Sequence, residues 1–266
     1  MGKKSSRTRS RRNSLVVEVQ SQKTSYHYAS AILFLCIIIC LVIAANMRNR
    51  IYKTPVTMWT DTALKSPIKR RVHENLGQAL STAGVYNDAM REFKTVLALK
   101  DDGSVPSRDL YREIGVVYFR VGMLDEAITS WQTGLRYAPF DASLLNNLSI
   151  AYLKKGRLDE AAANARMALS AAPGMPQALN TLGEVLMSQG EYDKAAECFL
   201  KAIQSAPEDK NKYWNAALAL AKAGKTDMAY QYMSRYAEME PDPAGRQRAL
   251  LIMNSLRKPS SGGNGP

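Results

Sequence analysis

Five glycines set the frame of this 266-residue chain. Gly84, Gly122, Gly156, Gly190 and Gly224 form one series. The last three intervals are equal, and the first is longer by four. Three positions after each glycine comes Asn87, Asp125, Asp159, Asp193 or Asp227. Two positions further stands Ala89, Ala127, Ala161, Ala195 or Ala229. The last four glycines are each followed, at one fixed offset, by Pro139, Pro173, Pro207 or Pro241; the first has Asp101 there. A fixed period of this length dictates a stack of similar units, each of which buries its apolar side on its neighbours.

The columns imply what each unit is. Glycine ends a helix whose following turn needs a left-handed residue. The Asn or Asp column is expected to cap the next helix by accepting a bond from its free amides. Alanine allows close approach of that helix, and proline follows it because proline cannot continue it. Each unit is therefore helix, turn, helix, turn. The first helices agree: His73–Leu80, Tyr111–Tyr118, Leu145–Tyr152, Leu179–Leu186 and Tyr213–Leu220 carry Gly77, Gly115, Ser149, Gly183 and Ala217 at one shared place. A small residue there lets two helices cross at short distance.

This repeating pattern resembles the tetratricopeptide repeat (TPR) family from about Arg70 to Pro241. The resemblance implies an all-α helix-turn-helix solenoid of about five units. Lys100–Asp109 accommodates the extra length of the first interval as a longer turn, with Ser107 or Asp109 capping the next helix. Pro243–Leu256 is expected to be a capping helix with Leu250, Leu251 and Met253 on one side, because a stack needs a cover for its last apolar face. Upstream, Met58–Pro67 has the form of a second half-unit, since Trp59 precedes Phe93 by one full period.

Charge and hydropathy place a membrane anchor before the array. Ala29–Ala45 carries no charge, and its length is at the short end for a spanning helix. Tyr26 and Tyr28 stand at one edge and Arg48 and Arg50 at the other, where rings and snorkelling cations meet headgroups. A cleaved signal peptide is the rival reading, but its basic region would run from Met1 to Tyr28, too long for an ordinary signal. The net charge of +12 is confined to the flanks: residues 1–28 and 46–71 carry +6 each, and residues 72–258 are neutral. The expected organisation is a basic tail at 1–28, a transmembrane helix at 29–47 and a half-repeat at 48–69. The array follows at 70–241, then the capping helix at 242–257 and a flexible tail at 258–266. Arg48–Gly77 also resembles the junction of polytopic glycosyltransferase-like proteins that join a last membrane helix to TPR units. That resemblance implies an array facing the periplasm or the endoplasmic reticulum lumen; with the short basic tail it points to an inner-membrane anchor with a cytoplasmic N-terminus and a periplasmic array. No catalytic region of that family has a counterpart here.

Chemistry leaves little trace in the sequence. His27 and His73 are the two histidines, and Cys36, Cys40 and Cys198 show no disulfide or zinc spacing. Phosphate-binding glycine loops and nucleophile elbows are absent. The acidic pairs Asp125-Glu126 and Asp159-Glu160 are helix starts favoured by the macrodipole. No enzymatic activity, metal or cofactor is expected.

What remains is a surface. In the TPR family the first helix of each unit lines a concave groove. Carried over by place, the groove residues are Asn75 in the first unit and Arg112, Phe119 and Arg120 in the second. Asn146, Asn147 and Lys154 come from the third, Asn180, Glu184 and Met187 from the fourth, and Trp214 and Asn215 from the fifth. Asparagines both donate and accept, which suits the backbone of an extended peptide. Arg112, Arg120 and Lys154 would form a basic strip for a carboxylate, with Trp214 as an aromatic anchor. The alternative is that the asparagines are common repeat residues near the turn. The favoured reading is a membrane-tethered scaffold for a protein or peptide partner. The others are an accessory module of a membrane glycosylation or envelope-assembly system, and a basic tail that binds anionic lipid or nucleic acid.

Overall fold

A computed structural model describes residues 32–49, 52–99 and 107–257. The basic tail, Tyr26, Tyr28 and Arg50, most of the long turn after Leu99 and the C-terminal tail lie outside the described residues. Among the described residues the chain forms thirteen helices and no strand. It divides into two compact units, one through Ala79 and the other from Leu80.

The first unit holds α1 (Ile32–Asn49), α2 (Pro55–Lys65) and most of α3 (Arg70–Thr82). No residue of α1 is buried. Its 18 residues span about 27 Å at the helical rise, close to the hydrocarbon thickness of a bilayer. The helix is therefore long and apolar enough to cross a membrane. Thr54 starts α2 through a reciprocal box: its Oγ1 accepts from the Thr57 amide, and its own amide donates to Thr57 Oγ1, both at 3.2 Å. Pro55 fits the first helical position, where no amide partner is needed. Pro67 follows the end of α2, and a ring nitrogen of His73 bonds its carbonyl at 3.0 Å.

The second unit is the solenoid. It runs through α4 (Tyr86–Ala98), α5 (Arg108–Arg120), α6 (Leu124–Tyr137), α7 (Ala142–Lys154), α8 (Leu158–Ala171), α9 (Pro176–Gln189), α10 (Tyr192–Ser205), α11 (Lys210–Lys222), α12 (Thr226–Met239) and α13 (Pro243–Arg257). Each helix packs on the next, and the first helices α7, α9 and α11 also touch in sequence. The repeat glycines adopt φ between +72° and +84°, the left-handed region that side chains resist. At Gly156 its amide bonds Leu153 O at 3.0 Å and the Arg157 amide bonds Tyr152 O at 2.9 Å, which satisfies carbonyls at the end of α7. A Cβ at Gly156 would meet nothing within 4 Å, so the glycine is required by conformation and not by space.

Two expectations are corrected. Asn87 and the aspartates of the repeat do not cap the second helices. These helices start earlier, and the capping positions Val85, Met123, Arg157, Glu191 and Lys225 make no side-chain cap bond. The aspartates sit inside the first turn, where the helix dipole favours negative charge. Three of them also reach the following unit: Asp125 binds Lys155, Asp159 accepts from Gln189 at 3.3 Å, and Asp193 pairs with Lys225 at 2.7 Å. These exposed contacts contribute little energy each, but they recur at the same place in successive turns. The second correction concerns α13. Its buried face is Gly245, Ala249 and Met253, whereas Leu250 and Leu251 are 52% and 62% exposed. A spacing of four follows one helical stripe; Leu250 and Leu251 fall off it. At the start of α5 the choice between two caps is resolved: Ser107 Oγ accepts from the Leu110 amide at 3.2 Å, and Asp109 instead holds Arg112.

Gly156→Val is expected to cost about 1–2 kcal/mol through backbone strain alone. Urea unfolding of the purified protein would show a lower midpoint; an unchanged midpoint would remove the left-handed turn from the explanation.

Candidate functional site

A groove on the first-helix face is built from the inward turns of α7, α9 and α11. Asn146 and Ile150 come from α7, and Gln177, Asn180, Thr181 and Glu184 from α9. Asp209, Asn211, Lys212 and Asn215 come from the start of α11. These residues enclose a recess of about 420 Å³. Asn180 and Asn215 face each other across the recess because adjacent units repeat the same helix face.

The polar groups of the recess form a directed chain. Asn215 Nδ2 donates to Asn180 Oδ1 at 3.0 Å, and Asn180 Nδ2 donates to Glu184 Oε1 at 2.7 Å. The chain ends on the carboxylate. Thr181 is satisfied within α9, its hydroxyl donating to Gln177 O at 2.9 Å. Asn146 is 5% exposed, and its Oδ1 is buried without a hydrogen-bond partner. A buried unpaired amide oxygen is costly. Asp209 caps α11 by accepting from the Asn211 amide at 3.1 Å and also accepts from the buried Lys212 ammonium. The Lys212 contact holds the Asp209 carboxyl below its usual range.

The sequence-derived groove residues separate into groups. Asn146, Asn180, Glu184 and Asn215 meet in the recess. Asn147 is half-buried on α7 and is not among the lining residues. Asn75 lies on α3 in the first unit and is half-buried. Arg112 is ion-paired with Asp109 at 2.6 Å and with Glu113 at 3.3 Å. Arg120 is exposed at the other end of α5, about 12 Å along the axis from Arg112. Lys154 lies 4.4 Å from the centre of the Phe119 ring, which also meets Trp131 at 5.8 Å. Two members of the anticipated basic strip, Arg112 and Lys154, thus have partners within the chain. Met187 packs against the central core. The Trp214 ring meets that of Tyr236 at 5.0 Å with the planes tilted by 60°, and it lines a second recess of about 300 Å³ with Glu240 and Arg248. Asp209, Asn211 and Lys212 were not anticipated. Their signal was the spacing of Asn211 and Lys212 to Asn215, four and three positions back on one helix face, together with the Pro-Glu-Asp turn that caps α11.

Chemistry elsewhere is sparse. Among the described residues no group of three or more His, Cys, Asp or Glu side chains is placed to hold a metal ion. Burial raises the Cys198 thiol above its ordinary pKa, which disfavours the thiolate.

Two family models, both described as tetratricopeptide repeat, match residues 112–176 and 152–220. The array is an all-helical TPR solenoid. No curated protein matches the chain in sequence. Among solved structures it is similar to a chain of the APC/C hetero-tetramer Cut9–Hcn1, with 15% identity and a TM-score of 0.63, over 75% of this chain and 38% of that one. A MamA crystal structure is 25% identical with a TM-score of 0.55, over 64% of this chain and 96% of that one. YrrB, described as a TPR protein with an unusual peptide-binding site, is 19% identical with a TM-score of 0.55, over 73% and 97%. TPR arrays are generally non-enzymatic scaffolds for protein interaction, and this chain has the fold suited to that role.

The second recess carries a pH prediction. Glu240 accepts from Lys210 Nζ at 2.7 Å, from the Tyr236 hydroxyl and from the Asp242 amide at 3.1 Å. These bonds, led by Lys210, lower its pKa to about 2. A lowered folded-state pKa stabilises the fold above the ordinary carboxyl range and loses that stabilisation as pH falls towards 2. The stability difference between wild type and Glu240→Gln should therefore be largest above pH about 4.5 and shrink towards pH about 2. Urea titrations across that range, followed on the Trp214 indole NMR resonance, would measure it.

Proposed function

We propose that this protein is a membrane-tethered TPR scaffold that holds an extended protein segment in the groove of its first helices. The observation that carries the reading is the recess across α7, α9 and α11, with its oriented asparagines. Amide side chains at one-unit intervals suit the regular donors and acceptors of an extended backbone. A peptide-binding site in a TPR protein of similar fold supports the same reading. Tethering rests on α1, which is apolar, unburied and next to basic residues on the array side. The groove is the region through which the partner is recruited, and residues 70–241 form the recruiting array.

In orientation, the short basic tail stays in the cytoplasm and the array faces the periplasm. Protease added outside intact or outer-membrane-permeabilised cells should then digest the array. Survival there, with cleavage only after inner-membrane lysis, would reverse the orientation. Release of an array lacking α1 into the soluble fraction of native cells would instead favour a cleaved signal sequence.

Asn146→Ala and Asn215→Ala should weaken co-purification of the membrane partner by about fivefold to thirtyfold each, the range for one or two lost hydrogen bonds. Lys201→Ala, on an exposed face of α10, should leave it unchanged. Circular dichroism of each variant separates lost binding from lost folding. Equal capture by all three would move the partner to another surface.

A further inference from the structure

The groove selects the charge of what it binds. We infer that the recess across α7, α9 and α11 takes a lysine or arginine side chain of the bound segment, with Glu184 as the counter-ion; this rests on the groove reading proposed above. Three observations support it. The lining holds two carboxylates, Glu184 and Asp209, and one ammonium, Lys212, so it carries one net negative charge. Lys212 and Asp209 pair with each other, which leaves Glu184 as the uncompensated charge of the lining. The amide chain from Asn215 through Asn180 delivers an N–H to one Glu184 oxygen, fixing the carboxylate while its other oxygen is left for a ligand. A fixed carboxylate and a net negative charge fit a cation, for which charge-assisted bonds are the strongest available.

The same observations argue against an acidic ligand at this point. A carboxylate would face Glu184 with no free cation in the lining, since Lys212 is taken by Asp209. Arg112, the first member of the basic strip anticipated from the sequence, is taken by Asp109 and Glu113.

The test uses the full chain in detergent micelles and four immobilised synthetic peptides with a common Gly/Ser/Ala background. The peptides differ at one central residue: lysine, arginine, norleucine or glutamate. Wild type should retain the lysine and arginine peptides at least about tenfold better than the other two, the factor of one charge-assisted hydrogen bond. Glu184→Gln keeps an oxygen for Asn180 and should abolish the preference. Glu197→Gln makes the same change in net charge on the exposed face of α10 and should preserve it. Equal retention of norleucine, preference for glutamate, or a preference that survives Glu184→Gln would overturn the inference. In those cases loss of partner capture by Asn146→Ala and Asn215→Ala still upholds the groove. Retention of none of the four peptides, together with unchanged capture by those variants, overturns both.

Discussion

A methyl group added at Gly115 would lie 2.2 Å from Nε1 of Trp131, and one at Gly183 would lie 2.6 Å from the Phe199 ring. Neither distance is possible, so the two helices of each of these units cross only because one side contributes no side chain. The whole stack depends on this reciprocity of size. In the unit between them the place is taken by Ser149, and the matching second-helix residue is Ala165. The serine hydroxyl then crosses to the Ala161 carbonyl at 2.7 Å. In the last unit Ala217 shares a cluster with Met233. At two crossings a large ring meets glycine, and at the one between them a small methyl meets serine, whose hydroxyl bond spans the pair. Interiors packed at crystal-like density leave no room for a larger side chain opposite a ring.

Close crossing inside each unit sets what happens between units. Because the helices approach at the same place each time, the first helices α7, α9 and α11 present equivalent faces side by side. Residues about one period apart in sequence become neighbours, as Asn180 and Asn215 are. The same regularity aligns the outer turns, where an aspartate of one unit meets a lysine or glutamine of the next. Binding chemistry thus comes at one-unit intervals, and its rigidity comes from helix packing and not from loops.

The C-terminal end shows how the stack stops. Glu240 is buried and gathers a lysine, a tyrosine hydroxyl and a backbone amide, in place of an apolar contact that a further unit would supply. Gly245 of α13 packs against its side chain, since a Cβ there would lie 2.8 Å from Cγ. Trp214 belongs as much to this closure as to any groove, because its ring rests on Tyr236.

The repeat, the order of helices, the left-handed glycines and the small residues at the crossings were legible in the sequence, because each is a local demand of backbone or volume that recurs in every unit. The first-helix positions were legible too: carried over by place from the family resemblance, Asn146, Asn180, Glu184 and Asn215 fall in one recess. Partnership was not legible. That Arg112 is taken by Asp109 and Glu113, that Lys154 covers Phe119, and that the repeat aspartates reach across to the next unit all depend on distances between side chains. The stripe of α13 that turns inward likewise depended on the angle at which that helix meets α12. Sequence periodicity determines which residues share a face. Only the tertiary structure decides which of them are already satisfied by one another, because hydrogen bonds and ion pairs form over a few ångströms of space and not at a fixed separation along the chain.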